Sequence, residues 1–395
     1  MLIEDGRIAE VGPRLRARGA EVIEAADTIV MPGFVDSHRH AWQAILRYSD
    51  TLLAADRLLD GARPDDIYAA TLIGLLGGVE SGITTVVDWC DVANEPSLLE
   101  AAVQAHRDSG LRTILVRPSI DDLSTNQEVG PLTDVAAGSE DVETARLDEL
   151  VSGWGECHER GLRVHAHAGR TDHVPGAVSA LHRSGALGDH VTLVHCTHLD
   201  DADLDAIAQS GTRVALTPSS EMAGGLGSPP IQRLMNRGIR PGLGVDSERT
   251  TPGDIFAQMR ATISLQHAEM FDLKLAGKGS LPNLLTTRQV IRYGTVDGAV
   301  AAGVGAATGS IEPGKRADII VLRTDRPNIA PVNDPIGAVV WGMDTSNLDH
   351  VFVDGIPLMR DGELDADVGR VRQLAAAARE SLMGGHLVDS GGGVG

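Results

Sequence analysis

Short apolar runs alternate with helical patterns through the middle of this chain, and that alternation restricts the fold more than any other feature. The runs sit near "TIVMPGFVDSH", "ITTVVDW", "RTILVRP", "LTDVA", "LRVHAH", "VTLVHC", "TRVALTP" and "IRPGLGVD". Strands separated by crossover helices signal an α/β protein with a parallel sheet. Eight such runs are the number that closes a (β/α)₈ barrel, and 395 residues hold a barrel of ~250 residues with a smaller domain beside it. The fourth run stands in a polar, Gly-rich stretch with little room for a helix ahead of it. The helical patterns have the expected lengths: "EPSLLEAAVQAHRDSG" precedes the third run and ends at a C-cap glycine, Gly110.

Beyond about residue 310 the texture changes. "GSIEPGKRADIIVLRTD" and "LDHVFVDGIPLMRDGEL" are turn-punctuated strands without crossover helices, and "LIEDGRIAEVG" and "EVIEAADTIV" at the other end look the same. The expectation is one discontinuous β-sandwich domain built from residues 1–32 and 311–395, flanking a barrel over 33–310. The tail "GGHLVDSGGGVG", beyond about residue 384, is expected to be disordered.

In such a barrel, catalytic groups project from the C-terminal ends of different strands. "DSHRH" places His38 and His40 two apart, so they share one face of a strand while Ser37 and Arg39 face away. The other strand ends supply His165 and His167, then His195, then Glu221 just past the seventh run, then Asp246. Each has a bland alternative. An isolated H-x-H pair can be two unrelated surface histidines, a lone histidine is often a hydrogen-bonded structural group, and Asp246 can cap the next helix. Five strands each bringing a metal-type or acid-base residue to one rim is a pattern that chance does not readily produce. Trp89 and Asp91, just past the second run, could shape an aromatic-binding wall, and Trp89 could equally be core packing.

Composition removes several function classes. A formal net charge of -21 argues against sequence-independent binding to nucleic acid or anionic membranes. Three cysteines, Cys90, Cys157 and Cys196, fit no disulfide framework and suit a reducing cytoplasm. "MLIEDGRIAE" does not read as a signal peptide. "YAATLIGLLGGVESGITTVV" contains Glu80 and reads as a helix, a turn at Ser81–Gly82 and a buried strand, not a membrane span.

"PGFVDSHRHAWQAILR", "HAHAGR", "VHCTHL", "GLGVDS" and "GSIEPGKRADIIVL" resemble, in order, the amidohydrolase superfamily, in the branch that includes cytosine and guanine deaminases and triazine hydrolases. The resemblance runs from the first residue to about residue 365. It implies a TIM barrel with a small sandwich, a small-molecule substrate, a homo-oligomer, and an N-terminus short of its relatives. It also implies a ligand set of His38, His40, His167 and Asp246, with His195 orienting the attacking water and Gln43 lining the substrate pocket. No lysine stands where two-metal members bridge their ions, so one divalent ion is expected: zinc, with iron or manganese also suited to a His₃Asp set.

Three neutral imidazoles and one carboxylate would leave a cation able to lower the pKa of a bound water to about 7, with Asp246 accepting its proton. The implied reaction is attack by a metal-bound hydroxide on a non-peptide C–N bond of a small nitrogen heterocycle or cyclic amidine. Deaminases of this branch read H-x-x-E at the fifth strand, whereas here the fourth position is Arg170, which cannot exchange protons near neutrality. Cleavage of an amide, urea or carbamate therefore stays open, as does a non-catalytic scaffold. Glu221 stands where relatives more often have asparagine, and is expected either to reach the substrate nitrogen or to be a solvated loop acid. His165 is expected in the core or behind the ligands.

Overall fold

The computed structural model describes residues 1–16, 18–49, 58–92, 94–117, 133–139, 142, 145–170 and 174–384. Two short strands, β1 (Leu2–Glu4) and β2 (Arg7–Glu10), form a hairpin, and β3 (Thr28–Pro32) follows. The barrel strands are β4 (Phe34–Arg39), β5 (Ile83–Trp89), β6 (Arg112–Arg117), β7 (Thr133–Ser139), β8 (Arg163–Ala168), β9 (Val191–His195), β10 (Arg213–Leu216) and β11 (Gly242–Leu243). They pair in parallel in that order. The ring closes through the backbone: Asp246 N donates to His38 O at 2.8 Å, and His40 N donates to Asp246 O at 2.9 Å. β12 (Ile319–Arg323), β13 (Leu348–Val353), β14 (Ile356–Arg360) and β15 (Glu363–Leu364) form an antiparallel sheet that β3 completes at one edge. The β1–β2 hairpin is tied to residues 314–317, with Ile8 N donating to Lys315 O at 2.8 Å.

Local chemistry explains the helices. α1 (Pro64–Glu80) starts with proline in its first turn and with Asp65 and Asp66 at its positive end. It stops at Ser81, and Gly82 takes a φ of +82° before β5, the expected helix, turn and buried strand. α2 (Pro96–Ser109) ends at Gly110, whose φ of +71° is left-handed, as the C-cap reading required. α3 (Leu147–Glu159) and α4 (Ala177–Arg183) flank β8, and α5 (Asp201–Ser210) is capped by Asp200, which accepts from Asp203 N at 2.8 Å. α6 (Pro218–Ala223), α7 (Ile231–Met235), α8 (Ile255–Leu275), α9 (Thr287–Tyr293) and α10 (Val296–Ala301) complete the barrel's surroundings.

Three elements depart from the sequence reading. The run "TIVMPGFVDSH" is two strands in two sheets: β3 pairs with β12, and β4 with β5. The change of sheet falls at Gly33, where a Cβ would lie 2.1 Å from Thr84 Oγ1. The eighth strand is only two residues long, because Val245 N is taken by the side chain of Asp36 (3.0 Å) instead of a neighbouring strand. Residues 368–384, assigned with the β-sandwich, form helix α11 (Val368–Gly384) instead. Ala375, Ala378 and Leu382 recur at helical spacing and pack with Ala69 and Ala70 of α1, so a helical stripe, not an alternating face, is what this segment buries. The fourth strand is present as β7; the segment ahead of it and the tail beyond 384 lie outside the described residues.

Barrel and small sheet are joined by a buried ion cluster. Arg112 of β6 donates from Nε to Asp318 Oδ2 at 2.7 Å, and from Nη2 to Asp318 Oδ1 at 2.9 Å and Asp354 Oδ1 at 2.6 Å. Thr308 and the Asp354 amide also donate to Asp318. Removing one partner leaves an uncompensated charge out of water. Asp318→Ala is expected to cost about 3–5 kcal/mol by urea denaturation, and Arg112→Met added to it should recover part of that loss.

Candidate metal centre and active site

The period of two along β4 turns His38 inward while Arg39 points to the outside of the barrel. There Arg39 is buried and donates to Asp36 (2.7 Å), Glu248 (2.8 Å), Gly74 O (3.2 Å) and Gly253 O (2.8 Å). Arg47 also pairs with Glu248. This network fixes the end of β4 against the segment after β11, so His38, His40 and Asp246 are held by the same bonds.

The expected ligands meet. His38 Nε2 lies 3.3 Å from His167 Nε2 and 3.5 Å from Asp246 Oδ1, and His40 Nε2 is also 3.5 Å from Asp246 Oδ1. The donor atoms of His38, His40 and His167 all fall within 4.8 Å of one another, as do those of His38, His195 and Asp246. Burial pushes His38 down to about 4, against the pull of Asp246. Burial, then the neighbouring imidazoles and Arg170, hold His167 well below the usual histidine range. At His40, burial opposes protonation but is outweighed by Asp91, Asp246 and Asp88, which push it up to about 9. Asp246 is held well below the usual carboxylate range because the histidines outweigh its burial. Imidazole nitrogens packed this closely, two of them kept neutral beside an ionised carboxylate, form a donor set suited to a borderline cation such as zinc.

Groups behind the ligands orient them. Asp91 Oδ2 contacts His40 Nδ1 at 2.9 Å and accepts from Trp42 Nε1, and Gln43 also bonds to Asp91. Gln43 is thus buried beside Asp91, in the 3₁₀ turn Ala41–Leu46. Trp89 packs on the site with its ring centroid 4.3 Å from that of His167. His165 is fully buried in β8, and neither ring nitrogen has a partner among the described residues. Arg170 follows β8, half-buried. His198 is exposed; His106 is buried against Asp88 (2.8 Å) and Thr113 (3.0 Å).

Glu221 is not a solvated loop acid: it is fully buried, against His195. His195 Nδ1 lies 3.2 Å from Glu221 Oε1 and 3.2 Å from Thr217 Oγ1. Ser220 Oγ donates to Asp246 Oδ2 at 2.5 Å. His195 and Asp246 carry left-handed backbone, with φ of +73° and +64°. Non-glycine residues there are strained, and such strain gathers at functional sites. Sequence reading missed the roles of Asp91, Thr217 and Ser220. "TPSSE" alone carried a signal, as a polar run directly after a barrel strand.

A carboxylate that holds the far nitrogen of a ligand histidine raises its basicity and fixes its tautomer. Asp91→Asn is therefore expected to weaken Zn²⁺ binding about 10–100-fold in a chelator competition, with the fold retained.

In sequence, the chain is similar to the 5'-deoxyadenosine deaminase of Methanothermobacter thermautotrophicus, 28% identical over 97% of this chain and 95% of that protein. It is also similar to the 5-methylthioadenosine/S-adenosylhomocysteine deaminase of Desulforamulus reducens, 27% identical over 91% of this chain and 88% of that protein. In fold, it is similar to atrazine chlorohydrolase TrzN from Arthrobacter aurescens complexed with zinc, with a TM-score of 0.83, 21% identity and coverage of 96% and 94%. An adenosine deaminase from Xanthomonas campestris with bound zinc gives a TM-score of 0.81, 20% identity and coverage of 97% and 93%. The Amidohydrolase family model matches residues 29–358, and the chain belongs to that family.

Proposed function

We propose that this protein is a metal-dependent hydrolase that removes an amino group from a small nitrogen heterocycle, with adenine nucleosides the first candidates. The observation that carries this reading is the convergence of His38, His40, His167 and Asp246 at one end of the barrel, with His195 beside them. These four residues would hold one divalent cation. Bound there, it would supply Lewis acidity and bring the pKa of a water into the neutral range. The deaminase relatives support the choice of bond, and the zinc in the two similar structures supports the choice of metal.

The chain's own groups divide the remaining work. Asp246 keeps Oδ2 on the Ser220 hydroxyl and presents Oδ1 to the histidines, the oxygen placed to take a proton from the attacking water. His195 has Nδ1 engaged, which leaves Nε2 to orient that water. Trp89 supplies an aromatic face beside His167 on which a flat ring packs. Arg170 supplies a fixed positive charge for a substrate anion or a developing oxyanion.

Arg170 also favours a second reading. A guanidinium cannot protonate a ring nitrogen near neutrality, and hydrolysis of an amide, urea or carbamate needs instead a proton on the leaving nitrogen, which Asp246 can return after taking it from the attacking water.

The test is a screen of zinc-loaded protein for ammonia release from adenine nucleosides and other amino-substituted heterocycles, with ureas and carbamates alongside. Ammonia from an aminated ring, about one metal ion per chain, and loss of most metal and activity in His38→Ala are the expected results. Turnover confined to ureas or carbamates would establish the second reading. Two ions per chain would overturn the ligand assignment.

A further inference from the structure

The turn after β10 is built unlike a simple connection. Within five residues it directs three polar side chains at the two groups charged above with handling protons and water: Thr217 Oγ1 and Glu221 Oε1 at His195 Nδ1, and Ser220 Oγ at Asp246 Oδ2. Glu221 is fully buried with Oε1 turned to His195 Nδ1, and its Oε2 has no partner among the described residues. Burying a carboxylate with one oxygen unpaired costs free energy, which the contacts of Oε1 with Thr217 and His195 offset only in part.

We propose that Glu221 is a positioning residue for His195, fixing the imidazole as the Nδ1–H tautomer so that Nε2 faces the cluster of His38, His167 and Asp246 as the acceptor nitrogen. The geometry leaves little alternative. Glu221 Oε1 already accepts from Thr217 N at 2.8 Å and from Thr217 Oγ1 at 3.3 Å, so it is fixed as an acceptor, and the ring nitrogen facing it must donate. The Thr217 hydroxyl, itself engaged with Glu221, lies against the same ring nitrogen and restricts rotation of the ring. His195 sits at a left-handed backbone position, φ +73°, a conformation that the surrounding structure holds in place. Glu221 thus acts on the reaction only through His195. The placement rests on the metal-dependent hydrolase reading for its consequence in catalysis, but the tautomer itself does not depend on that reading.

The experiment compares wild type, Glu221→Gln and Glu221→Ala by ¹⁵N NMR of histidine-labelled, zinc-loaded full-length protein, with kinetics and metal content measured in parallel. Wild-type His195 is expected to show a protonated Nδ1 and an unprotonated Nε2. Glu221→Ala should shift that signal toward a tautomer mixture and lower kcat roughly tenfold or more, with KM and metal content little changed. Glu221→Gln, whose amide oxygen still accepts from Nδ1–H, should keep the wild-type tautomer and lose less of kcat. A wild-type Nε2–H tautomer, or an Ala variant with unchanged His195 signals, overturns the proposal. So does a loss carried by KM alone, which would place Glu221 against the substrate. If no hydrolysis is found in any variant, the NMR comparison still decides the tautomer, so failure of the hydrolase reading is distinguishable from failure of this one.

Discussion

Two backbone hydrogen bonds, Asp246 N to His38 O and His40 N to Asp246 O, decide more of this molecule than any side chain does. They close the barrel between its first and last strands, and they do so at the residues that carry the candidate ligands. Closure and assembly of the site are therefore one event. Gly244 makes the approach feasible, since a Cβ there would lie 2.6 Å from His38 O. Asp36 supplements the seam by accepting from Val245 N, and Arg39 ties it to α1 and to the segment holding Glu248. Each bond is worth only about 1 kcal/mol on its own. Together they define a single register, and with it the position of three of the four ligands.

The electrostatics follow from that closure. Burial keeps His38 and His167 neutral and therefore able to donate lone pairs, while carboxylates at and just past neighbouring strand ends hold His40 and compensate for its removal from water. The strain at His195 and Asp246 is borne by the surrounding barrel, as the two residues sit at the ends of well-packed segments. A site on a flexible loop would relax into ordinary φ angles.

Much of the architecture was legible in the sequence because it depends on periodicity. Alternation by two placed His38 opposite Arg39, apolar runs marked seven barrel strands well, and Gly110 ended a helix where its left-handed φ was needed. What could not be read depends on contacts between segments far apart in the chain. Nothing local to "TIVMPGFVDSH" shows that its first half pairs with residues near 320, and nothing in "GLGVDS" shows that an aspartate side chain interrupts the ladder. The acceptor role of Asp91 toward His40 and the burial of Glu221 behind His195 are likewise set by the meeting of neighbouring strand ends. The helix at 368–384 was hidden in a different way: its stripe is largely alanine, too weak in hydrophobic contrast to stand out until α1 is opposite it.

The passage of the chain at Gly33 bears on mechanics. Because β3 runs straight into β4 with a single glycine between them, wedged against Thr84, the two sheets share a stiff strut where many multidomain proteins have a slack tether. The strut carries His38 close to its far end. The small sheet therefore anchors the strand that bears this ligand, and the rigidity of that sheet enters the tolerance to which the site is built.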